Sequence, residues 1–168
     1  MIEVKRLSID NLPDIRKVTD TVRKSLVNDS WFIPMSDETM DNMFAADTTL
    51  SVYGAFDDGV LAAVALIDID PEEMLDLVSA MDLPLSACGE LGACVVLPDH
   101  RGKNLMYLVC RKLISIAQEM GLKYLVASAH PDNIASNRTL QKLGMEHVKT
   151  LVRCGGYIRN AYRIELDK

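Results

Sequence analysis

The sequence predicts an α/β (α+β) fold in which a mixed central sheet of about six to seven strands is flanked by about four to five helices. Three observations predict it: the order of helical and extended patterns, a strand–helix–strand unit in the middle of the chain, and hairpin signals toward both ends. A strand–helix–strand crossover produces parallel strands and hairpins produce antiparallel ones, so the sheet must contain both. Residues 1–168 show no linker and no internal repeat, and we expect one domain.

The first half of the chain begins with a strand and an amphipathic helix. Apolar residues alternate over 2–7, and we expect the next helix to have its N-cap at Asp10 and Pro13 in its first turn. Ser36 precedes two acidic residues and starts a second, short helix. The Asp-Asp-Gly turn at 57–59 joins two apolar strands into a β-hairpin.

Helices and strands alternate in the second half. Asp70 is followed by Pro71 and, three residues after itself, by Glu73, which is typical of a helix N-terminus. The expected elements are a helix over 71–82, a strand over 88–97, a long helix ending at Gly121, a strand over 124–129, a helix over 132–143, and strands over 146–154 and 157–166.

Composition and charge exclude several classes of function. Hydrophobic residues make up 49% of the chain and charged residues 25%, which is typical of a globular protein and unlike disordered or fibrous sequences. The net charge of -6 would repel a phosphate backbone, so we expect no nucleic-acid partner. The longest apolar run, over 60–67, is too short to span a bilayer, and the opening residues are charged where a signal peptide is apolar. We therefore expect a cytoplasmic protein with no membrane partner.

The four cysteines are Cys88, Cys94, Cys110 and Cys154, and they form no CxxC pair. A chain of this length does not need disulfides to fold, and two cysteines six positions apart on one strand are too distant to bridge. We expect reduced thiols in or near the core and no metal site.

The loop between the fourth strand and the long helix is the strongest candidate for a binding site. It is basic and contains Gly102, and it precedes a helix N-terminus, whose unpaired N–H groups and partial positive charge favour a phosphate. It is neither a Walker loop nor a dinucleotide fingerprint. From the residues alone, a pyrophosphate site and a solvated basic cap are equally good interpretations.

Two motifs resemble those of the GNAT superfamily of N-acetyltransferases. Pro98, the tripeptide 101–103 and the helix that follows resemble its acyl-CoA pyrophosphate loop, although Asn104 and Met106 stand where that pattern has Gly and Gly or Ala. Residues 133–137, followed by Leu-Gly-Met at 143–145, resemble its second CoA motif. The order of elements also matches, so the resemblance covers nearly the whole chain.

The resemblance implies a splayed sheet, in which the fourth and fifth strands separate, and acetyl-CoA as co-substrate. It also implies backbone contacts from the fourth strand to the pantetheine arm. The residues that match the cofactor-binding positions are Val95, Val96, Leu97, Arg101, Gly102, Lys103, Asn104, Leu105, Met106, Asn133 and Ser136.

Glu90 and His130 are the candidate catalytic bases. In many relatives a glutamate near the position of Glu90 takes the proton of the attacking amine, and His130 ends the fifth strand close to the expected thioester. The alternatives are an exposed strand glutamate and a histidine that caps a helix or is bonded in the core. Strand alternation predicts that Glu90, Gly92 and Cys94 share one face, unless a β-bulge shifts the phase.

The general acid is missing from its expected position. Many relatives have a tyrosine where this chain has Leu140, which cannot donate a proton. Ser136, Tyr107 and Tyr157 are candidates that the sequence does not rank.

The resemblance implies an enzyme that transfers an acetyl group from acetyl-CoA to a primary amine by direct attack. The acceptor would be a small-molecule or peptide amine bound near residues 31–43 and 154–157. The alternative is a catalytically inert CoA-binding or sensor module of the same fold, which the departures at Asn104, Met106 and Leu140 favour. Whether the protein forms a homodimer is left open.

Overall fold

The computed structural model describes residues 1–153 and 155–167, which form a seven-stranded sheet with helices on both faces. The strands are β1 (Ile2–Arg6), β2 (Leu50–Asp57), β3 (Val60–Asp68), β4 (Cys88–Val96), β5 (Tyr124–Ala129), β6 (Glu146–Arg153) and β7 (Tyr157–Glu165). The helices are α1 (Leu12–Ser25), α2 (Asp37–Asp41), α3 (Pro71–Ala80), α4 (Leu105–Glu119) and α5 (Ile134–Lys142). The predicted fold class is confirmed.

The sheet has the strand order β1-β2-β3-β4-β5-β7-β6. Its neighbours pair antiparallel except β4 and β5, which pair in parallel only over Cys88–Glu90 and Tyr124–Val126. Beyond these pairs β4 and β5 separate, as the resemblance implies. The gap between them opens the middle of the sheet.

Helix starts follow local capping chemistry, and one predicted cap is wrong. Ser36 and Asp70 cap α2 and α3, accepting hydrogen bonds from N–H groups of the first turn. The expected N-cap at Asp10 is not found. A 3-10 turn occupies 9–11 instead, and the Ser8 N–H donates to Oδ1 of Asn11 at 2.9 Å. The Ser8–Asn11 pair satisfies backbone donors that lie before residue 10. Helical structure therefore begins earlier in the chain than an N-cap at Asp10 would allow.

The two faces of the sheet have separate cores. Helices α1, α2 and α3 cover one face, which we call the α1 face, and α4 and α5 cover the other, the α4 face. The α4 face contains the larger cluster, with Leu113 and Leu125 fully buried, whereas Ile15 of α1 and Leu77 of α3 are buried on the α1 face. None of the helices in the described part of the chain has the length and apolar character that a membrane span requires.

A β-bulge in β4 reverses the alternation of its side chains. Ala93 has a φ of 50°, and the register with β3 shifts at this point. Cys94 therefore packs on the α4 face, in the same core as Leu91, whereas Ala93 packs on the α1 face. The expectation that Glu90, Gly92 and Cys94 share a face is wrong beyond the bulge, because the extra residue changes the phase.

Three of the four cysteines lie within the described residues, and all three are free. Cys88 and Cys110 are buried. The bulge brings Cys94 Sγ to 3.8 Å from Cys110 Sγ. The expectation for Cys154 lies outside the described residues.

Candidate active site

A cleft of about 890 Å³ passes through the gap between β4 and β5. On the α4 face it is lined by the start of α4 and by α5, including Met106, Tyr107 and Ser136. On the α1 face it is lined by the segment after α1, by α3 and by the β6–β7 hairpin. Two ligands that enter from opposite faces of the sheet can therefore meet between the strands.

The loop before α4 presents a row of unpaired backbone N–H groups. For residues 102–107, these groups find no hydrogen-bond acceptor among the described residues. Gly102 has a φ of 80°, and the direction in which a Cβ would point from it is open space. Asn104 has a φ of 65°, a left-handed conformation that Asn tolerates better than most residues. This geometry fits the pyrophosphate of CoA, because such a group needs several converging N–H donors at a helix N-terminus.

Several side chains of the loop form hydrogen bonds with other elements of the protein. Lys103 Nζ contacts Oδ2 of Asp57, and Nδ1 of His100 lies 2.8 Å from the same oxygen. These hydrogen bonds hold the pKa of Asp57 below its usual value, and the bond from Lys103 has the larger effect. Arg101 Nη2 donates to the hydroxyl of Ser25 at 3.2 Å. The loop is therefore tied to β2 and α1, which fixes the position of its backbone N–H groups.

Most of the predicted cofactor residues come together in the cleft. All of them line it except Leu97 and Lys103. Leu97 N–H donates to the carbonyl of Ala62, which continues the pairing of β4 with β3. Asn133 caps α5, its Oδ1 accepting from the Ser136 N–H at 3.3 Å. Met106 packs against the core of the α4 face.

Glu90 belongs to an ion-pair cluster on the α1 side of the cleft. Arg153 Nη1 contacts Oε1 of Glu90 at 2.5 Å, and the same guanidinium binds both oxygens of Asp76, at 3.0 Å and 2.8 Å. Ser128 Oγ accepts a further hydrogen bond from Arg153 at 3.2 Å. Two carboxylates share one guanidinium, so the cluster retains a net negative charge.

Burial and the ion pair act in opposite directions on Glu90. Burial raises the pKa of its carboxyl, and the hydrogen bond from Arg153 lowers it, with burial the larger effect. The pKa of Glu90 is therefore raised. A carboxylate with a raised pKa accepts protons more readily than an ordinary glutamate.

His130 lies beside the cleft but is not one of the described residues that line it. Its Nδ1 accepts a hydrogen bond from the Asp132 N–H at 3.1 Å, and its ring centroid is 6.2 Å from that of Trp31. When Nδ1 accepts, the neutral ring carries its proton on Nε2 and has no free lone pair for a substrate proton. The geometry of His130 is that of a residue capping the turn before α5.

The three candidate acids all line the cleft, as does Leu140 in the usual tyrosine position. Ser136 precedes Leu140 by four residues in α5 and so lies on the same side of that helix. The hydroxyl of Tyr107 accepts a hydrogen bond from Arg111 at 3.3 Å. Tyr157 lies on the opposite face, beside Arg159.

Sequence reasoning missed the partners of Glu90. Arg153 and Asp76 are 77 residues apart, and each occupies an element whose pattern is only that of an ordinary strand or helix. No local signal could have paired them. Within the described ranges, no group of three or more histidine, cysteine, aspartate or glutamate side chains is arranged to hold a metal ion.

Several solved structures of other proteins have a similar fold. The ribosomal-protein-S18-alanine N-acetyltransferase of Escherichia coli is 15% identical, with 100% of this chain and 96% of that one covered and a TM-score of 0.72. A probable acetyltransferase of Staphylococcus epidermidis is 14% identical, with 99% and 100% covered and a TM-score of 0.76. The protein yncA of Salmonella typhimurium, solved with its cofactor acetyl-CoA, is 18% identical, with 99% and 95% covered and a TM-score of 0.74.

These likenesses establish a shared fold. No curated protein sequence matches the chain closely enough to name as a relative. The acetyltransferase (GNAT) family matches residues 18–145, which is more than half of the chain. The resemblance drawn from the loop, the second motif and the element order is confirmed: the chain belongs to the GNAT family of acetyltransferases.

Proposed function

We propose that this protein transfers the acetyl group of acetyl-CoA to a primary amine by direct attack of the amine on the thioester. The observation that carries the proposal is the cleft, which joins unpaired N–H groups before α4 to an acidic cluster on the other face of the sheet. Acyl transfer requires two ligands to meet in a fixed orientation. A gap through the sheet supplies such a meeting point.

The N–H groups of residues 102–107 would hold the pyrophosphate of CoA. The backbone of β4 around Val95 and Val96 would bind the pantetheine arm, and Asn133 and Ser136 would border it from α5. When bound, acetyl-CoA supplies a thioester, which is an acyl carbon activated toward amines. β4 and α5 would hold this thioester in the gap, where an amine that enters from the α1 face could reach it.

Glu90 is the proposed base. An amine arrives mainly as an ammonium ion, which cannot attack, so its proton must first be removed. Glu90 accepts this proton, directly or through one water molecule. The amine nitrogen then forms a bond to the acetyl carbon as the carbon–sulfur bond breaks, and the sulfur leaves with the bonding electrons. The second proton of the nitrogen passes to that sulfur, so that the products are the amide and the thiol of CoA. A thiol has a pKa near ~8.5, so the sulfur can leave with modest help from a donor such as Ser136.

The acidic side of the cleft also attracts the amine. Four carboxylates line it, those of Asp68, Glu73, Asp76 and Glu90, and the two arginines on the same face, Arg153 and Arg159, compensate only part of their charge. A cationic acceptor is therefore drawn to the face opposite the pyrophosphate loop.

Mass spectrometry with trideuteroacetyl-CoA and a panel of primary amines tests this function. The expected result is an amide product heavier than its amine by the labelled acetyl group, with loss of the product in Glu90→Gln and full activity in the control Glu119→Gln, an exposed residue of α4. Thioester hydrolysis without labelled amide on any amine would instead favour the inert module. Loss of activity in His130→Ala together with full activity in Glu90→Gln would transfer the role of base to His130.

A further inference from the structure

Arg159 is a buried cation on β7. Its residue is 7% exposed, and within the described part of the chain its guanidinium donates to the backbone carbonyls of Ile158 and Ser30, at 2.7 Å and 2.5 Å. It forms no ion pair with a carboxylate of the described residues. A buried charge is costly unless it is paired, so this arrangement is unusual in a structural residue.

Arg153 provides a direct comparison. The pairing of β6 with β7 sets Arg153 opposite Tyr157 and Leu151 opposite Arg159, so the two arginines are diagonal neighbours on one face of the hairpin. Arg153 binds two carboxylates, whereas no carboxylate in the described ranges pairs with Arg159. Burial lowers the pKa of Arg159, and the positive charge of Arg153 lowers it further. Within the described residues, Arg159 thus lacks the negative charges that compensate the charge of Arg153.

Arg159 lines the cleft on its α1 side, and a second buried donor lines the same cleft. Trp31 Nε1 is shielded from solvent and has no hydrogen-bond partner among the described residues. The ring of Tyr157 lies beneath the guanidinium, with its centroid 5.5 Å from Cζ. An unpaired guanidinium and an unpaired indole N–H beside one cavity are complementary to an anionic group that accepts hydrogen bonds.

We propose that Arg159 binds the carboxylate of the acceptor, so that the preferred substrate is an amino acid or another primary amine that carries a carboxylate. The inference rests on the proposed function, because an acceptor is defined only for a transferase. Glu90 and its acidic neighbours receive the ammonium end, and Arg159 on β7 receives the carboxylate. The pyrophosphate loop lies at the α4 end of the cleft, so the anion that Arg159 lacks belongs to the acceptor and not to CoA.

Calorimetric titration of matched ligand pairs in the presence of CoA tests the proposal. Each pair is an amino acid and its carboxamide, which keeps the amine and removes only the negative charge. We expect the wild-type protein to bind at least one acid about 30-fold or more tightly than its amide, because a buried charged partner would otherwise stay unpaired. Amino-alkyl phosphonates of matched length distinguish a carboxylate site from a phosphate site. A phosphonate that binds more tightly than the acid would overturn the assignment.

The variant Arg159→Gln should reduce the preference to about 3-fold or less and leave acetyl-CoA affinity unchanged. Arg163→Gln is the matched control, since Arg163 lies on the same strand, is partly exposed and pairs with Glu146 at 3.5 Å; it should keep the preference. Equal binding of acid and amide by the wild-type protein overturns the proposal and needs no variant. So does a loss of acetyl-CoA affinity in Arg159→Gln that is as large as the loss of acid binding.

The calorimetric titrations test this inference independently of the proposed acetyl transfer. If acids bind preferentially and Arg159→Gln abolishes the preference, but no amine receives labelled acetyl, the transfer proposal fails and the carboxylate site stands. If neutral amines are acetylated as efficiently as their carboxylate-bearing analogues, the transfer stands and the carboxylate site fails.

Discussion

Replacing Arg153 with Gln should destabilise the protein strongly. Its guanidinium makes paired contacts to Glu90 and Asp76, and its side chain is 17% exposed. Glutamine keeps one hydrogen-bonding group but removes the charge, which leaves two largely buried carboxylates near each other. Breaking a buried ion pair costs about 3–5 kcal/mol. For a domain of this size, this corresponds to a fall in Tm of roughly 10 °C.

The stability lost in Arg153→Gln should depend on pH, and the direction of this dependence follows from the protonation of Glu90. Burial already raises its pKa, and removal of Arg153 removes the main opposing effect, so the pKa rises further. A carboxyl with a raised pKa holds its proton more tightly in the folded state than in the unfolded chain. The destabilising effect of ionised Glu90 on the folded state is therefore absent below the pKa of the unfolded chain, near ~4.3. It grows as pH rises through the pKa of the folded state. Arg153→Gln should be closest to the wild-type stability at low pH.

Urea unfolding followed by circular dichroism at pH 5 and pH 7.5 measures both effects. The double variant Arg153→Gln/Glu90→Gln should recover part of the loss at pH 7.5, because one of the two uncompensated charges is gone. The control Arg163→Gln removes a pair at the protein surface and should cost less than about 1 kcal/mol. A loss below about 1 kcal/mol for Arg153→Gln, or an equal loss at both pH values, would show that Arg153 does not stabilise buried carboxylates in this way.

Three further predictions concern catalysis and cofactor binding. Glu90→Gln should lower the acetylation rate at pH 7 by about 10²-fold without changing the acetyl-CoA Kd, and its kcat/KM should lose the acid limb; an unchanged pH profile would exclude Glu90 as the base. Gly102→Val places a branched side chain at a φ of 80° and should raise the acetyl-CoA Kd by about 10-fold or more in calorimetry; an unchanged Kd would remove the loop from the site. Asp57→Asn weakens the hydrogen bonds to Lys103 and His100 and should raise the acetyl-CoA KM by about 3-fold while kcat at saturation is kept. A fall in kcat alone would show that these contacts do not act by positioning the loop for acetyl-CoA.

Most of the fold could be predicted because its signals are local. Strand β5 has the predicted bounds of 124–129, since a short apolar run between a glycine stop and a helix start leaves little choice. The β2–β3 hairpin follows from its Asp-Asp-Gly turn. The N-cap of the first helix was wrong for a reason that is equally local: Ser8 and Asn11 form a pair that competes with Asp10.

In the candidate site, too, only the features with a local sequence signal could be predicted. The pyrophosphate loop could be predicted because a helix N-terminus and the residues before it form one short segment. The environment of Glu90 could not, since Arg153 lies 63 residues away and reaches it only through the strand order β4-β5-β7-β6. The bulge at Ala93 also gives no sequence signal, because a non-glycine residue adopts the positive φ.

Isothermal titration of the protein with acetyl-CoA shows whether the cofactor binds at all, and the loop before α4 and the gap between β4 and β5 have a function in acetyl transfer only if it does. We predict saturable binding of one acetyl-CoA per chain, with a Kd between about 1 μM and 1 mM, and a marked loss of affinity in Gly102→Val. Absence of binding at millimolar acetyl-CoA, or binding that Gly102→Val leaves unchanged, would exclude this loop as the cofactor site.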